Sequence, residues 1–164
     1  MSTFSKNHIR IRRATIKDVH EIYEILSESF KPYHQYYTPE AYQKTVNSPI
    51  VIKKRIMSQK KEVLVVTYRK EIVGTASLTK QRKGRFHIRS MAVKPNYQNK
   101  GIGKCILEKI DKIAKEGHTK IISLECFEPL TNAIGLYERL GYRRTDKKRN
   151  YHGISIFEMI KELK

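Results

Sequence analysis

Residues 91–104, Met91-Ala92-Val93-Lys94-Pro95-Asn96-Tyr97-Gln98-Asn99-Lys100-Gly101-Ile102-Gly103-Lys104, constrain the fold of this chain more tightly than any other stretch. A strand-like run from 86 to 93 stops at Pro95, which has no N–H to give to a sheet. A short polar loop follows, and Gly101 and Gly103 then open a segment with Ile102, Ile106, Ile110 and Ile113 on one helical face. The first N–H groups of a helix have no internal partner and sit at the positive end of its dipole. Glycine, lacking a Cβ, lets a ligand come close to them. Strand, loop and helix start in this order make a seat for a phosphate or pyrophosphate.

Three glycine patterns compete for that seat. A nucleoside-triphosphate loop needs Gly-x-x-x-x-Gly-Lys followed by Ser or Thr; Gln98 replaces its first glycine and Cys105 its hydroxyl. A dinucleotide fingerprint needs a third glycine, where Ile106 stands. The remaining pattern, Gln98-Asn99-Lys100-Gly101-Ile102-Gly103, resembles the acetyl-CoA pyrophosphate loop of the GNAT superfamily of N-acetyltransferases. Two flanking stretches share the resemblance. Ile88-Arg89-Ser90-Met91-Ala92-Val93, with Pro95 two residues on, is similar to that family's fourth strand. Ala133-Ile134-Gly135-Leu136-Tyr137-Glu138-Arg139-Leu140-Gly141-Tyr142 is similar to its closing helix and turn. The match runs over residues 84–145, and the order of elements fits from about residue 8 onward.

Along the chain, alternation or helical spacing predicts a strand at 9–11, a helix from Thr15 to Phe30 stopped by Pro32, and a bent helical pair from Thr38 to about 58, restarted at Ser48-Pro49. A hairpin over 63–79 turns at Arg69-Lys70. Next come the strand from Gly84, the helix from Gly101 to about Gly117, a strand at 119–126, a helix at 129–140, and two closing strands at 142–149 and 154–160. This order predicts an α+β domain around a central mixed, mostly antiparallel sheet of about seven strands flanked by about four helices. In the family it resembles, the fourth and fifth strands splay and the coenzyme enters the gap.

With 164 residues there is room for one well-buried domain and not for two, so a single domain over 1–164 is expected, with the short polar segment 1–7 lacking order. No apolar run approaches the roughly 20 residues that span a bilayer, and the first residues carry no secretory signal. Cys105 and Cys126 have no metal-ligand spacing and fall on a predicted helix and strand, where free thiols are core residues. The expected compartment is the cytoplasm, with no metal and no membrane partner. Lys and Arg outnumber Asp and Glu by 34 to 16, a net charge of +18. Such a charge governs encounter and non-specific binding rather than fold. It attracts anions (coenzyme A, an acidic protein surface, nucleic acid) and repels a polyamine unless the pocket is locally acidic.

The resemblance implies acetyl-CoA as cofactor, coenzyme A as product, and direct transfer of the acetyl group to a primary amine of a small molecule or of a protein, at its N-terminus or a lysine. By the same resemblance Met91, Ala92 and Val93 pair with the pantetheine arm, and Gln98, Asn99, Lys100, Gly101, Ile102, Gly103 and Lys104 hold the pyrophosphate, mostly through main-chain donors. Tyr137 is the implied general acid, since a phenol keeps its proton at neutral pH. Glu125 is the implied general base, with His87, whose imidazole has the better-placed pKa, as the alternative, and some members of the family use water chains in place of a side-chain base. The family's pantetheine-binding asparagine is replaced here by Leu130, with Asn132 two residues off register. Tyr33, His34, Tyr36 and Tyr37, with Tyr151 and His152 opposite, are the implied lining of the acceptor pocket, and Glu40 is placed to attract a cationic amine. The alternatives are an acyl-CoA sensor that keeps the fold, or a nucleic-acid-binding module using Arg143, Arg144, Lys147, Lys148 and Arg149, although recognised nucleic-acid-binding motifs are lacking. The oligomeric expectation is a monomer or a homodimer.

Overall fold

The alternating stretches form strands β1 (Ile9–Arg13), β2 (Lys61–Tyr68), β3 (Glu71–Gln81), β4 (Arg85–Val93), β5 (Ile121–Cys126), β6 (Arg143–Tyr151) and β7 (Ile154–Glu162) in a computed structural model that describes residues 3–164. They make one sheet in the order β1-β2-β3-β4-β5-β7-β6. Every neighbouring pair is antiparallel except β4 and β5. Arg69 and Lys70, between β2 and β3, both have positive φ (48° and 75°), the geometry whose twist matches a two-residue hairpin.

The helices are α1 (Val19–Phe30), α2 (Pro39–Thr45), α3 (Pro49–Met57), α4 (Ile102–Glu116) and α5 (Thr131–Arg139). The expected bent pair is therefore two helices, each with proline in its first turn. Thr38 and Ser48 accept the N–H groups of Ala41 and Val51 and so satisfy donors that the helices cannot. Ahead of α1, the Asp18 carboxylate accepts the Thr15 N–H at 2.7 Å and both arms of Arg12 at 2.7 and 3.0 Å.

Strand parity sorts the core into two layers. Leu64, Val66, Ile88, Ile122 and Leu124 face Ile106 and Ile110 of α4. Val63, Val65 and Ala92 face Ile22, Ile25 and Leu26 of α1 and Ile52 of α3. Between these layers the sheet opens. β4 and β5 pair from Arg85↔Ile121 to Ile88↔Leu124 only; beyond that β4 continues on β3 and β5 on β7. On the open edge β4 carries one extra residue relative to β3, and Ser90 there has φ +49°. This β-bulge turns the strand at the mouth of the wedge.

Residues 3–7, expected to lack order, are ordered. Phe4 stacks on Tyr68 with ring centroids 4.7 Å apart, and Lys6–His8 make a turn of 3-10 helix. The apolar ring of Phe4 supplies the anchor that a wholly polar segment would lack; Met1 and Ser2 lie outside the described residues. Among the described residues no helix is long and apolar enough to cross a membrane.

Candidate active site

The wedge between β4 and β5 continues into a cleft of about 650 Å³ that reaches from α4 and α5 on one side to α1–α3 and the β6–β7 turn on the other. Its two ends differ in chemistry.

At the first end, Gly101 is the residue before α4, with φ +83°, and no side chain caps the helix. The first turn also contains no acid, so its N–H groups stay available to an anion. Asn99, in the loop, also has positive φ (61°). Gln98 donates its side-chain amide to the Val93 carbonyl (2.9 Å), which also receives the Ser29 hydroxyl (2.9 Å). The side chain of Gln98 thus ties the loop to the end of β4. A Cβ at Gly103 would lie 2.8 Å from Leu136 Cδ2, so α4 and α5 meet closely over that glycine. Met91, Ala92, Val93, Gln98, Asn99, Gly101, Ile102, Gly103, Lys104 and Asn132 all border the cleft. Lys100 does not; its ammonium sits 5.6 Å from the centre of the Phe4 ring. Another lysine reaches the loop instead. A Cβ at Gly101 would lie 3.0 Å from Lys6 Nζ. Sequence reasoning missed Lys6 because it set the first seven residues aside.

Tyr137, on α5, is buried and borders the cleft. Burial pushes its pKa well above that of a free phenol, so the hydroxyl keeps its proton; burial likewise raises the neighbouring Cys126 thiol, to about 11. Leu130 and Asn132, the two residues that compete for the missing asparagine's place, both reach the cleft wall.

The middle of the cleft holds the base candidates. His87 lies in register with Ser123 across the β4–β5 pair, and its Nδ1 is 2.9 Å from the Ser123 hydroxyl. Burial lowers its pKa, and the nearby Arg89 lowers it further, so the ring is neutral at pH 7. Glu125 also borders the cleft, but Arg149 reaches over β7 and binds both its oxygens, at 2.6 and 2.8 Å. That pairing holds the Glu125 carboxyl below the usual carboxylate range.

At the other end, where the acceptor was expected, Tyr33, Tyr37 and Tyr151 border the cleft, while His34 and Tyr36 do not. His34 packs edge-on against Tyr42, with centroids 4.4 Å apart, and Tyr36 is exposed. The β6–β7 turn is tied to the start of α2: Thr38 donates to the His152 carbonyl (2.5 Å), and His152 Nδ1 lies 3.0 Å from Glu40. Glu40 is thus committed to the turn.

Several residues in and behind the cleft wall were invisible to sequence reasoning. Buried Asn47 accepts from Arg55 (2.7 Å) and from the Ser90 hydroxyl (2.8 Å), while Arg55 also donates to Ser90 (2.7 Å), which pins the β4 bulge to the α2–α3 junction. Arg89 was within reach of strand parity, two residues from His87 on the same face. The basic hairpin is less free than its composition suggests. Arg143 pairs with Glu162, Arg144 with both oxygens of Glu128, and Arg149 with Glu125. Among the described residues no three His, Cys, Asp or Glu side chains come together to hold a metal ion.

Comparison with known proteins agrees with this architecture. The alanine N-acetyltransferase of ribosomal protein bS18 from Escherichia coli is 39% identical over 64 residues, 38% of this chain and 43% of that protein. The chain thus matches less than half the length of this curated relative. The crystal structure of that enzyme superposes with a TM-score of 0.76 at 19% identity, covering 94% of this chain and 93% of the other. The PaiA N-acetyltransferase of Thermoplasma acidophilum, solved in complex with coenzyme A, superposes with a TM-score of 0.83 at 21% identity, covering 94% and 99%. At such identities the superpositions speak for the fold. The family model for the acetyltransferase (GNAT) domain matches residues 26–163, nearly the whole chain, and the protein belongs to that family.

Proposed function

We propose that the chain is an acetyl-CoA-dependent N-acetyltransferase that moves an acetyl group directly to a primary amine. The observation that carries this reading is the uncapped, acid-free start of α4 opening onto the same wedge as a buried phenol and a neutral imidazole. The cleft fits coenzyme A: main-chain donors of residues 99–104 would hold its pyrophosphate, and the free edge of β4 at residues 91–93 would line its pantetheine arm. Coenzyme A in the Thermoplasma relative supports the same choice of ligand. Bound acetyl-CoA supplies a thioester whose carbonyl carbon the amine nitrogen attacks, with loss of the thiol.

The residues of the chain divide the proton work. His87, neutral and bordering the cleft, takes the proton from the acceptor nitrogen. Ser123, at its Nδ1, fixes the orientation of the ring. Tyr137 holds a proton at its phenolic oxygen beside the coenzyme end. Glu125, ionised and gripped by Arg149, acts on the field around His87 rather than as the base. A sheltered cleft between fixed walls also supplies proximity. The free thiols of Cys105 and Cys126 suit a reducing compartment, and the cytoplasm is the proposed location. Calorimetry with acetyl-CoA, followed by thiol release on adding primary amines, tests the reading. Absence of uptake sinks it; uptake without turnover of any amine leaves a sensor.

A further inference from the structure

The acceptor end of the cleft is charged in a way that acetyl transfer does not require. An amine acceptor is a cation in water, yet this end is bordered by Lys44, Arg55, Arg89 and Arg149 against one carboxylate, Glu125. Two of these cations are spoken for: Arg149 by Glu125, and Arg55 by Asn47 and Ser90. Arg89 is not. No hydrogen bond or ion pair reaches its guanidinium among the described residues. It projects from the middle of the sheet, on the face of His87, within electrostatic reach of Arg55, His87 and Glu125. Arg89 is exposed at the wall of the cleft, and its charge repels that of Arg55; an anion seated between the two guanidinium groups relieves that repulsion and gives Arg89 the partner it lacks.

The walls set the size of the occupant. The β6–β7 turn, which follows Tyr151, is tied to the start of α2 by Thr38 and by the His152–Glu40 pair. The acceptor end is therefore flanked by two segments held to each other, which suits a molecule of amino-acid size.

The geometry points to an acceptor that carries its own anion: a small primary amine bearing a carboxylate or phosphate group, which Arg89 and Lys44 hold while the amine faces His87. This rests on the N-acetyl-transfer reading above. A guanidinium binds either oxyanion with paired N–H groups, and it rejects diamines by charge.

The test is thiol release from acetyl-CoA at low salt with β-alanine, O-phosphoethanolamine, propylamine and 1,4-diaminobutane. One of the two anionic amines is expected to exceed propylamine in kcat/KM by at least about tenfold, the range of a charge-assisted hydrogen bond. Which of them leads distinguishes carboxylate from phosphate. Arg89→Gln brings the ratio of anionic to neutral amine near unity, chiefly through KM, and Arg89→Lys keeps part of it. Equal or better use of propylamine or the diamine by the native chain overturns the proposal, as does a preference unchanged in a folded Arg89→Gln. If no amine turns over, calorimetry of the same four compounds into the coenzyme A-loaded protein reads the pocket directly. Uptake of an anionic amine that Arg89→Gln abolishes upholds the anion site although the transfer reading has failed; uptake of none, or of all four alike, overturns it.

Discussion

Arg149 closes on Glu125 across the intervening strand β7, with Nε 2.6 Å from Oε2 and Nη2 2.8 Å from Oε1. A carboxylate held in this way is a weak proton acceptor, because any proton must displace a bidentate guanidinium. His87 is the opposite case: burial and Arg89 keep it neutral, with a free-base form at pH 7. The kcat–pH profile should fall as pH drops through a pKa below about 6.5, the unperturbed imidazole value, since protonation removes the base. His87→Gln should lower kcat about 100-fold or more and abolish that limb, whereas Glu125→Gln should cost less than about tenfold. A greater loss in Glu125→Gln than in His87→Gln would reverse the assignment.

Tyr137 owes its protonated state to burial, and a phenylalanine fills nearly the same volume. Tyr137→Phe therefore separates packing from proton donation. The expected result is a fall in kcat of about 100-fold, with the acetyl-CoA Kd within about twofold of native by calorimetry. Equal losses in both quantities would mean that the phenol is a wall of the coenzyme site rather than an acid.

Gly101→Asp sets fold against function at one position. Aspartate tolerates positive φ better than most residues, and the atoms its Cβ would meet are the far end of the Lys6 side chain, so the chain should still fold, with some strain at φ +83°. The same carboxylate, however, would occupy the uncapped end of α4 and repel a pyrophosphate. The Kd for acetyl-CoA should rise by at least about tenfold, while the strain at this φ lowers the melting temperature by only a few degrees, roughly 2–4 °C per kcal/mol. Undiminished affinity in the folded variant would remove the loop from the coenzyme site.

Local physics made much of this legible in the sequence. Pro95, the glycines at 101 and 103, and the isoleucine spacing of α4 fix strand, loop and helix within a few residues, and the hairpin turn at Arg69-Lys70 lies where it was expected, whereas the turn between β3 and β4 was not singled out. The proposed phosphate seat follows from those neighbours alone. The acceptor end does not, because Asn47, Arg55 and Ser90 meet only after α3 has packed on β4. Likewise nothing near Glu125 in sequence announces Arg149, which arrives from the far strand of a hairpin. Lys6 was lost for a different reason: polar composition outweighed the single ring of Phe4.

Asn47 illustrates how much the long-range part matters. It is buried, and its carbonyl oxygen accepts both the Arg55 guanidinium and the Ser90 hydroxyl, holding a non-glycine residue at φ +49°. Asn47→Ala leaves a half-buried guanidinium short of an acceptor and should cost about 2 kcal/mol. For a domain of this size that lowers the melting temperature by roughly 4–8 °C, measurable by calorimetry. A change near zero would show that the bulge holds without the clamp.

Lys6 lies next to Gly101 in the proposed pyrophosphate loop, on a segment held by the stacking of Phe4 on Tyr68 and by the Ser5 N–H, which meets the Tyr68 hydroxyl at 3.2 Å. Its ammonium sits beside Gly101, where a bound diphosphate would place charge. The side chain is exposed, so its contribution is that of a surface pair: Lys6→Ala should weaken acetyl-CoA binding about two- to fivefold, and the difference should shrink as salt is raised. Phe4→Ala tests the anchor behind it. If the ring positions the lysine, the two substitutions weaken binding by similar factors and the double variant is little worse than either. Additive losses would instead make Phe4 an independent contributor and leave Lys6 as a freely moving charge.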